Sequence, residues 1–211
     1  MSSISIIGVG NMARALGARA LAAGNTVEII GRDPAKATDL ARALGDAVTT
    51  RTPGTIPTGE IVILAVPYAS AAAVVRQYGD ALSGKVIIDI TNPFAPDLTG
   101  LLTPHGTSAA EQIAQAAPAD AHVVKAFNTV FGHLLATGSG QGPRMDVFIA
   151  GDDTQAKAIV SAFIASLGLR PLDAGSLAMA GNLEQAGLLM MGLARHGIGH
   201  HNFAFGTTTF D

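Results

Sequence analysis

Two consecutive stretches decide the fold of this chain: Ser5-Ile-Ile-Gly-Val-Gly-Asn-Met-Ala-Arg-Ala-Leu-Gly17 and Val27-Glu-Ile-Ile-Gly-Arg-Asp-Pro-Ala-Lys36. They predict an apolar strand, a Gly-x-Gly-x-x-Ala turn, a helix and a second strand. Gly8 permits the tight turn, Gly10 lets the backbone approach a pyrophosphate, and Ala13 lets the helix pack closely against the strand. The N-terminus of that helix offers free N–H groups to an anion. The pattern therefore predicts a dinucleotide-binding unit, because the glycines directly follow a strand and open a helix.

The end of the second strand indicates which dinucleotide is bound. NAD-selective proteins carry Asp or Glu about 20 residues past the glycines, where it binds the ribose 2′-hydroxyl. Here Gly31 and Arg32 occupy that place, Lys36 follows, and Glu28 lies too early, inside the strand. A guanidinium binds a 2′-phosphate through paired charge-assisted hydrogen bonds. The alternative is that Arg32 and Lys36 are solvated charges, but basic residues at a helix start oppose the helix dipole. We therefore expect NADP(H).

The composition excludes several classes of function. Of the 211 residues 48% are apolar and 14% charged, and 25 are glycine, which suits a buried parallel sheet covered by helices. A net charge of −3 disfavours a nucleic acid partner. The lack of cysteine excludes disulfides, thiolate metal sites and thiol catalysis. No basic leader precedes the first strand, and no apolar run approaches the roughly 20 residues of a membrane span, so we expect a soluble, cytoplasmic protein without a membrane partner.

Strand-like and helix-like segments alternate along the chain, which predicts an α/β protein. We expect a Rossmann-type doubly wound, mainly parallel sheet with a small C-terminal helical appendage. Residues 1–132 would form the dinucleotide-binding core and residues 133–211 a sheet extension with a C-terminal cap or dimer segment, together one compact domain. The predicted strands are Ser3–Val9, Thr26–Ile30, Ala47–Thr49, Ile61–Val66, Val86–Ile90, His122–Phe127, Val147–Gly151 and Arg170–Leu172. The predicted helices are Met12–Ala23, Ala35–Leu44, Ala69–Gly79, Ser108–Ala117, Thr154–Leu167 and Leu183–Arg195.

Ligands of doubly wound sheets bind beyond the carboxyl ends of the strands. Three of the predicted strand ends carry suitable polar groups: Ala65-Val-Pro-Tyr68, Asp89-Ile-Thr-Asn-Pro-Phe94 and Val124-Lys-Ala-Phe-Asn-Thr129. Asn92 and Asn128 are candidates to hydrogen-bond the carboxamide or the ribose of a nicotinamide. Each asparagine alone is also a common turn residue. Their placement at successive strand ends favours the functional interpretation.

The charged residues of these strand ends have less specific interpretations. Lys125 is either catalytic or, as we favour, a partly exposed or ion-paired strand residue. Asp89 is expected to be structural and to tie down the neighbouring loop, because a buried carboxylate needs a hydrogen-bond partner. We expect no metal at His196, His200 and His201, because glycines interrupt the segment and no carboxylate lies nearby.

The same motifs carry a resemblance to a known family. The chain resembles the coenzyme F420-dependent NADP oxidoreductases, whose fold also occurs in the oxidoreductase domain of the STEAP metalloreductases. Pyrroline-5-carboxylate reductases share the Gly-x-Gly-Asn-Met-Ala run, but their longer helical C-terminal region has no counterpart here. The resemblance rests on Ile7–Ala13, Gly31–Pro34, Leu64–Pro67, Asp89–Pro93, Val124–Thr129, Ala150–Asp153 and Gly168–Leu177, of which Lys125–Asn128 and Asp173–Leu177 are the more specific.

This resemblance implies a site without a dedicated catalytic residue. NADP(H) would lie along the glycine turn, and its nicotinamide would lie on a floor formed by Asn128, Thr129 and Val130. A second, flavin-like ring would stack on the nicotinamide, held in part by the region from Gly175 and across a homodimer. The implied cofactor-binding residues are Gly8, Gly10, Asn11, Met12, Arg32, Lys36, Val66, Pro67, Tyr68, Asn92, Pro93, Ala126, Phe127 and Asn128.

Three functions are compatible with the sequence. The first is an NADP-dependent oxidoreductase that passes hydride between NADPH and F420 or a flavin such as FMN or FAD. Such a transfer needs positioning more than acid–base help, which fits the lack of a Ser-His-Asp or paired-carboxylate pattern. The second is an NADPH-dependent reductase of a small carbonyl or imine, with Lys125 or Tyr68 as the proton donor. The third is a non-catalytic NADP(H)-binding sensor, suggested by the lack of a large substrate domain.

Overall fold

The computed structural model describes residues 1–136 and 144–210. Strands and helices alternate along most of the chain. The strands are β1 (Ser3–Ile7), β2 (Thr26–Ile30), β3 (Thr49–Arg51), β4 (Ile61–Leu64), β5 (Val86–Asp89), β6 (His122–Lys125), β7 (Asp146–Gly151) and β8 (Arg170–Asp173). The helices are α1 (Asn11–Ala22), α2 (Pro34–Leu44), α3 (Tyr68–Tyr78), α4 (Ala109–Ala116), α5 (Gly132–Ala136), α6 (Thr154–Ser166) and α7 (Ala180–Gly192). Short 3-10 turns cover Gly79–Leu82 and Leu177–Met179, and a π-helical turn covers Leu193–Gly197.

The strands of the described residues form one sheet in the order β3-β2-β1-β4-β5-β6-β7-β8. Strands β1 to β6 are parallel, β7 runs antiparallel to β6, and β8 is parallel to β7. The strand order reverses between β1 and β4, which opens a crevice at the carboxyl ends of these two strands. The predicted Rossmann-type, mainly parallel α/β fold is therefore confirmed.

Helices cover both faces of the sheet, which explains why its central strands read as continuous apolar runs. Ile4 and Ile6 of β1 belong to one apolar cluster, while Ile7 belongs to the cluster on the opposite face. All four residues of β4 are fully buried. No helix among the described residues is long and apolar enough to cross a membrane.

The boundaries of several elements differ from the predictions. The last helix begins at Ala180 rather than Leu183 and ends at Gly192, where a π-helical turn follows. No side chain caps the start of α7, so the sequence carried no signal for it. Strand β3 lies two residues later than predicted, at Thr49–Arg51. Helix α5 was not predicted, because five residues are too few to show a helical period.

Candidate functional site

The glycine turn between β1 and α1 lies at the crevice where the strand order reverses. Gly8 has φ +133°, and a Cβ atom there would lie 2.1 Å from the carbonyl oxygen of Ala65. Its N–H donates to the carbonyl oxygen of Ile30 at 2.8 Å. Glycine is therefore required at this position by the backbone conformation and by the closeness of Ala65, the residue that follows β4.

Gly10 differs from Gly8, because nothing in the protein requires a glycine there. Its φ of −83° is accessible to any residue, and a Cβ atom would meet no atom within 4 Å. Gly10 is the N-cap of α1, and no side chain caps the free N–H groups that follow. Open space in front of uncapped N–H groups fits an anionic group such as a pyrophosphate.

A cavity of about 420 Å³ continues the crevice toward the end of β2. Its lining includes Gly8, Gly10, Arg32, Val66, Pro67 and Tyr78. Five residues predicted to bind the cofactor are thus brought to one cavity. Lys36 is exposed in the first turn of α2 and lies outside this lining. Burial raises the pKa of Tyr78, so its hydroxyl remains protonated at neutral pH.

The position of Gly31, at the end of β2, leaves no space for the acidic residue of an NAD site. A Cβ atom on Gly31 would lie 2.7 Å from Val9 Cγ1 and 3.0 Å from Ala37 Cβ. The nearest carboxylate, Asp33, accepts hydrogen bonds from the N–H groups of Ala35 at 3.0 Å and Lys36 at 3.3 Å, as the N-cap of α2. Its negative charge is therefore directed at the helix, and the adjacent guanidinium of Arg32 is exposed.

Glu28, the earlier acidic residue of β2, is buried, and both of its carboxylate oxygens accept hydrogen bonds. It accepts hydrogen bonds from Ser5 Oγ at 2.6 Å, from the guanidinium of Arg51 and from the N–H of Thr58 at 3.1 Å. Burial raises the pKa of Glu28, but the hydrogen bonds from Ser5, Thr58 and Arg51 outweigh it and the net pKa is lowered. Glu28 therefore joins the first three strands and has no free oxygen for a ribose.

The ends of β5 and β6 bring Asn92 and Asn128 together. Asn92 Nδ2 donates to the carbonyl oxygen of Asn128 at 2.8 Å, and Asn128 Nδ2 donates to Asn92 Oδ1 at 3.1 Å. Asn128 Nδ2 also donates to the carbonyl oxygen of Leu183 in α7 at 2.7 Å. The two amides thus form a reciprocal pair, which we call the amide pair, and α7 holds it in place.

Three buried polar atoms at these strand ends have no hydrogen-bond partner among the described residues. They are Thr91 Oγ1, Asn128 Oδ1 and Thr129 Oγ1. A buried polar atom without a partner costs about 1–3 kcal/mol. Such a cluster is expected where a polar ligand group supplies the missing bonds, and the carboxamide of a nicotinamide has both donors and an acceptor.

The turn after β6 places its residues in two environments. Phe127 adopts φ +61°, unusual for a side chain of this size, and its ring packs edge-on against Phe163 in the core. Ala126 is fully buried as well. The side chains of these two predicted cofactor-binding residues are therefore not available to a ligand. Val130 is half-buried and follows directly on the amide pair.

Other predicted residues lie near the carboxyl ends of the strands. A Cβ atom on Gly132 would lie 3.0 Å from Met12 Sδ, so the chain after β6 reaches the first turn of α1. Asn11, beside Met12, is exposed, and Pro93, next to the amide pair, is buried. Tyr68 is half-buried at the start of α3, and its hydroxyl donates to Gln112 Oε1 at 3.0 Å.

Lys125 is completely buried and ion-paired, which is the second of the two environments that the sequence favoured. Its Nζ donates to Asp89 Oδ2 at 2.8 Å, to Glu184 Oε1 at 2.8 Å and to the carbonyl oxygen of Thr91 at 2.6 Å. Asp89 also accepts from the N–H of Thr91 at 2.8 Å, so it does hold the neighbouring loop. All three side chains are 0% exposed. Lys125 therefore cannot touch a substrate as a proton donor.

Glu184 is a residue that we did not predict from the sequence. Both of its carboxylate oxygens accept from the N–H of Ala109, the first residue of α4, at 3.0 and 3.2 Å. Burial raises the pKa of Glu184 above its ordinary value, and the opposing effects of the Lys125 ammonium and the Ala109 N–H offset this only in part. A single acidic residue in the apolar segment Leu183–Met191 was the one available signal, because a buried carboxylate requires partners.

The histidines of the C-terminal segment lie at the surface. His196, His200 and His201 are exposed, and the ring of His201 packs edge-on against Phe131 at 5.2 Å. Phe203 contacts the same ring at 5.3 Å. Within residues 1–136 and 144–210, no group of three or more His, Cys, Asp or Glu side chains could hold a metal ion.

Comparison with known proteins agrees with this geometry. Residues 3–93 match the model of the family described as NADP oxidoreductase, coenzyme F420-dependent. The chain is 33% identical over 191 residues to metalloreductase STEAP3 of Rattus norvegicus, across 89% of this chain and 37% of that protein. It is 30% identical over 140 residues to the F420-dependent NADP reductase of Methanocaldococcus jannaschii, across 64% of this chain and 62% of that protein.

A solved structure resembles almost the whole chain. A protein of Arthrobacter sp. FB24, described as a candidate F420-dependent NADP reductase, superposes with a TM-score of 0.87 and 27% identity, across 99% of this chain and 100% of that one. The curated relatives are longer: this chain spans 37% of STEAP3 and 62% of the archaeal reductase.

Proposed function

We propose that this chain is an NADP(H)-dependent oxidoreductase of the coenzyme F420-dependent family, whose model matches residues 3–93, and that it transfers hydride between NADP(H) and F420 or a flavin such as FMN or FAD. One observation carries the proposal. At one end of the crevice the protein leaves open space in front of the uncapped N–H groups after Gly10, and at the other it leaves Asn128 Oδ1 without a partner. These features suit the pyrophosphate and the nicotinamide of one dinucleotide.

Each part of the nucleotide is given its own binding residues in this proposal. The pyrophosphate is bound by the N–H groups of Asn11 and Met12 at the start of α1. The 2′-phosphate is bound by Arg32, with Lys36 adding positive charge. The nicotinamide lies at the amide pair and supplies the hydride. Thr129 and Val130 complete the floor, and Pro67 at the end of β4 borders the same crevice.

The ionisable groups at the amide pair favour an acceptor that needs no proton from a side chain. Asp89, Lys125 and Glu184 are all buried and paired with one another, so none of them can reach a substrate. Stacking two bound ring systems requires positioning rather than a dedicated acid or base. F420 and the flavins are such ring systems. The archaeal relative is named for its dependence on F420.

The test is NADPH oxidation without oxygen, with F420 and FMN offered in parallel and FAD as a third acceptor. Turnover with F420 alone supports an F420 reductase, and turnover with FMN or FAD alone supports a flavin reductase. The proposal fails if all three acceptors leave NADPH unchanged although the protein binds it.

A second candidate function is the reduction of a small carbonyl or imine with Tyr68 as the proton donor. One observation favours it: Tyr68 is only half-buried and directly follows Pro67, a residue that lines the cavity. Tyr68→Phe would then abolish turnover of a carbonyl or imine panel and spare NADPH binding. Tight NADPH binding with no turnover on any acceptor would instead favour the sensor.

The predicted homodimer remains part of the proposal. Helix α7 exposes Leu189, and Leu193 follows it on the same side of the helix, with exposed fractions of 54% and 37%. An apolar surface of this kind suits a contact with a second copy of the chain. Sedimentation equilibrium of the purified protein measures this directly, and a monomer at all concentrations would reject it.

A cytoplasmic location is likewise proposed, and fractionation of the source cells tests it.

A further inference from the structure

The three buried ionisable residues Asp89, Lys125 and Glu184, which we call the buried charge network, contain one more carboxylate than ammonium. We propose that this excess negative charge favours the binding of NADP⁺ over NADPH and so promotes hydride release from the bound nucleotide. The inference rests on the proposed function, because it places the nicotinamide at the amide pair.

A purely structural role would not need the second carboxylate. The ammonium of Lys125 has three donors, and Asp89 Oδ2 and the carbonyl oxygen of Thr91 already accept two of them. A neutral acceptor would satisfy the third. Burying an additional ion is costly, and apolar or neutral replacements of buried ion pairs are often as stable. The presence of a carboxylate at Glu184 therefore points to a use for its charge.

The charge of the network is only partly offset by its surroundings. The N–H of Ala109 belongs to the first turn of α4, whose helix dipole contributes about half a positive charge. A net negative charge remains. It is fully removed from solvent, because all three side chains are 0% exposed, and solvent therefore screens it less than a surface charge.

The network is joined directly to the predicted nicotinamide site. The carbonyl oxygen of Thr91 accepts from Lys125, and Asn92 of the amide pair is the next residue. Asn128 donates to Leu183, the neighbour of Glu184 in α7. The nicotinamide ring is a cation when oxidised and neutral when reduced. A negative charge close to it therefore stabilises the bound oxidised form selectively.

The test replaces Glu184 by glutamine, which removes the charge with the smallest change in bonding. Glu184 Oε1 accepts from both Lys125 at 2.8 Å and Ala109 at 3.0 Å, and a glutamine oxygen in the same place keeps both bonds. A calorimetric titration at about pH 8, on the alkaline side of the ordinary carboxyl range so that the ionised form is favoured, measures the Kd of NADP⁺ and of NADPH for the intact protein. Neither value requires turnover or an acceptor.

Wild type and variant are compared by the ratio of the two dissociation constants. One unit charge within about 10 Å, at an effective dielectric constant of about 20 to 40, alters the binding of a cation about fourfold to fifteenfold. We expect Glu184→Gln to weaken NADP⁺ by that factor relative to NADPH. Asp89→Asn removes the charge of the other carboxylate and is expected to shift the ratio in the same direction. Either variant can therefore test the inference if the other does not fold.

Glu28→Gln is the matched control, because it neutralises a buried carboxylate that lies away from the amide pair. It is expected to leave the ratio unchanged. If Glu184→Gln weakens both nucleotides equally, or shifts the ratio toward NADP⁺, the network is only structural and the inference is wrong. If wild type binds neither nucleotide, the proposed function is overturned and the inference with it.

Discussion

Gly187 of α7 lies so close to Asn92 that a Cβ atom there would be 2.9 Å from Asn92 Oδ1. The same Cβ would lie 3.4 Å from Asn128 Nδ2. Together with the hydrogen bond from Asn128 to Leu183, this closeness makes α7 the element that holds the amide pair. The last helix of the described residues therefore shapes the site, although it contains no nucleotide-binding motif.

Gly187→Ala is expected to displace α7 or the amide pair, because the added methyl has no space. Overpacking of this kind costs about 1–3 kcal/mol, and we expect NADPH binding to weaken about tenfold. Gly192→Ala in the same helix is the control, since a Cβ there meets no atom within 4 Å and alanine favours a helix. Fluorescence titration with NADPH and thermal unfolding of both variants measure the effects. Equal NADPH affinity in the two variants would contradict the role given to Gly187.

Substitution of the two turn glycines, Gly8 and Gly10, is expected to affect different properties: the stability of the fold for Gly8 and the binding of NADPH for Gly10. Gly8→Ala forces φ +133° on a residue with a side chain and brings a methyl against Ala65, so the fold should lose about 3 kcal/mol or more. Gly10→Ala meets no protein atom and should cost at most about 1 kcal/mol. Its methyl nevertheless occupies the proposed pyrophosphate space, and NADPH binding should fall about tenfold or more. Unchanged NADPH binding in a folded Gly10→Ala protein would remove the pyrophosphate from this place.

Arg32→Ala tests the preference for NADP(H). Loss of charge-assisted hydrogen bonds to the 2′-phosphate should weaken NADPH by about 1.5–3 kcal/mol and leave NADH nearly unaffected. Arg42→Ala on α2 serves as the control, because this arginine is exposed and paired with Asp39. The dissociation constants of both nucleotides are measured for each variant. An equal loss of affinity for NADPH and NADH would show that Arg32 does not bind the 2′-phosphate.

Gly31→Asp, the substitution that would imitate an NAD site, is expected not to improve NADH binding. Its Cβ would lie 2.7 Å from Val9 Cγ1, so the variant should instead lose about 1–3 kcal/mol of stability. Arg32→Asp tests the effect of an acidic residue better, since this position is exposed and the side chain meets no packing conflict. Its carboxylate should repel a 2′-phosphate and so weaken NADPH binding. Tighter NADH binding by Gly31→Asp at unchanged stability would contradict the steric argument.

The C-terminal segment is fastened by an ion pair whose effect depends on pH. Asp146 accepts from both Arg170 Nε and Nη2 and from the N–H of Thr207, and Arg170 donates to the Thr207 carbonyl oxygen. The hydrogen bond from Arg170 lowers the pKa of Asp146 most strongly, and the bonds from Thr207 add to it. A carboxylate with a lowered folded-state pKa stabilises the fold fully above its unfolded pKa. That stabilisation is lost as the pH falls through the lowered value.

The measurement is urea unfolding of wild type and Asp146→Asn between about pH 2 and 7. The difference in the free energy of unfolding should be constant above about pH 5 and decline toward zero in more acidic solution. Its plateau should be about 1–2 kcal/mol, a modest value because the Arg170 side chain is 41% exposed. A difference that grows as the pH falls would have the wrong sign for this interaction.

The nucleotide-binding half could be predicted because its signals are local. The glycines, the small Ala13 and the arginine after β2 lie within one βαβ unit, and each is dictated by a neighbouring turn, helix or strand end. The position of the amide pair was predictable for a related reason, since parallel strands end at the same edge of a sheet. The hydrogen-bond partners of Asn92 and Asn128 could not be predicted, because part of each side-chain amide is hydrogen-bonded to the other residue.

The sequence by itself determined the α/β fold, the glycine turn and the lack of an acidic residue at Gly31, because backbone sterics and the apolar period act over a few residues. Only the tertiary structure decided that Lys125 is buried, that Glu184 completes its ion pairs and that Gly187 meets the amides. Lys125 and Glu184 are 59 residues apart in sequence. An apolar pattern specifies which face of an element is buried, but the polar partner opposite that face depends on how distant elements pack.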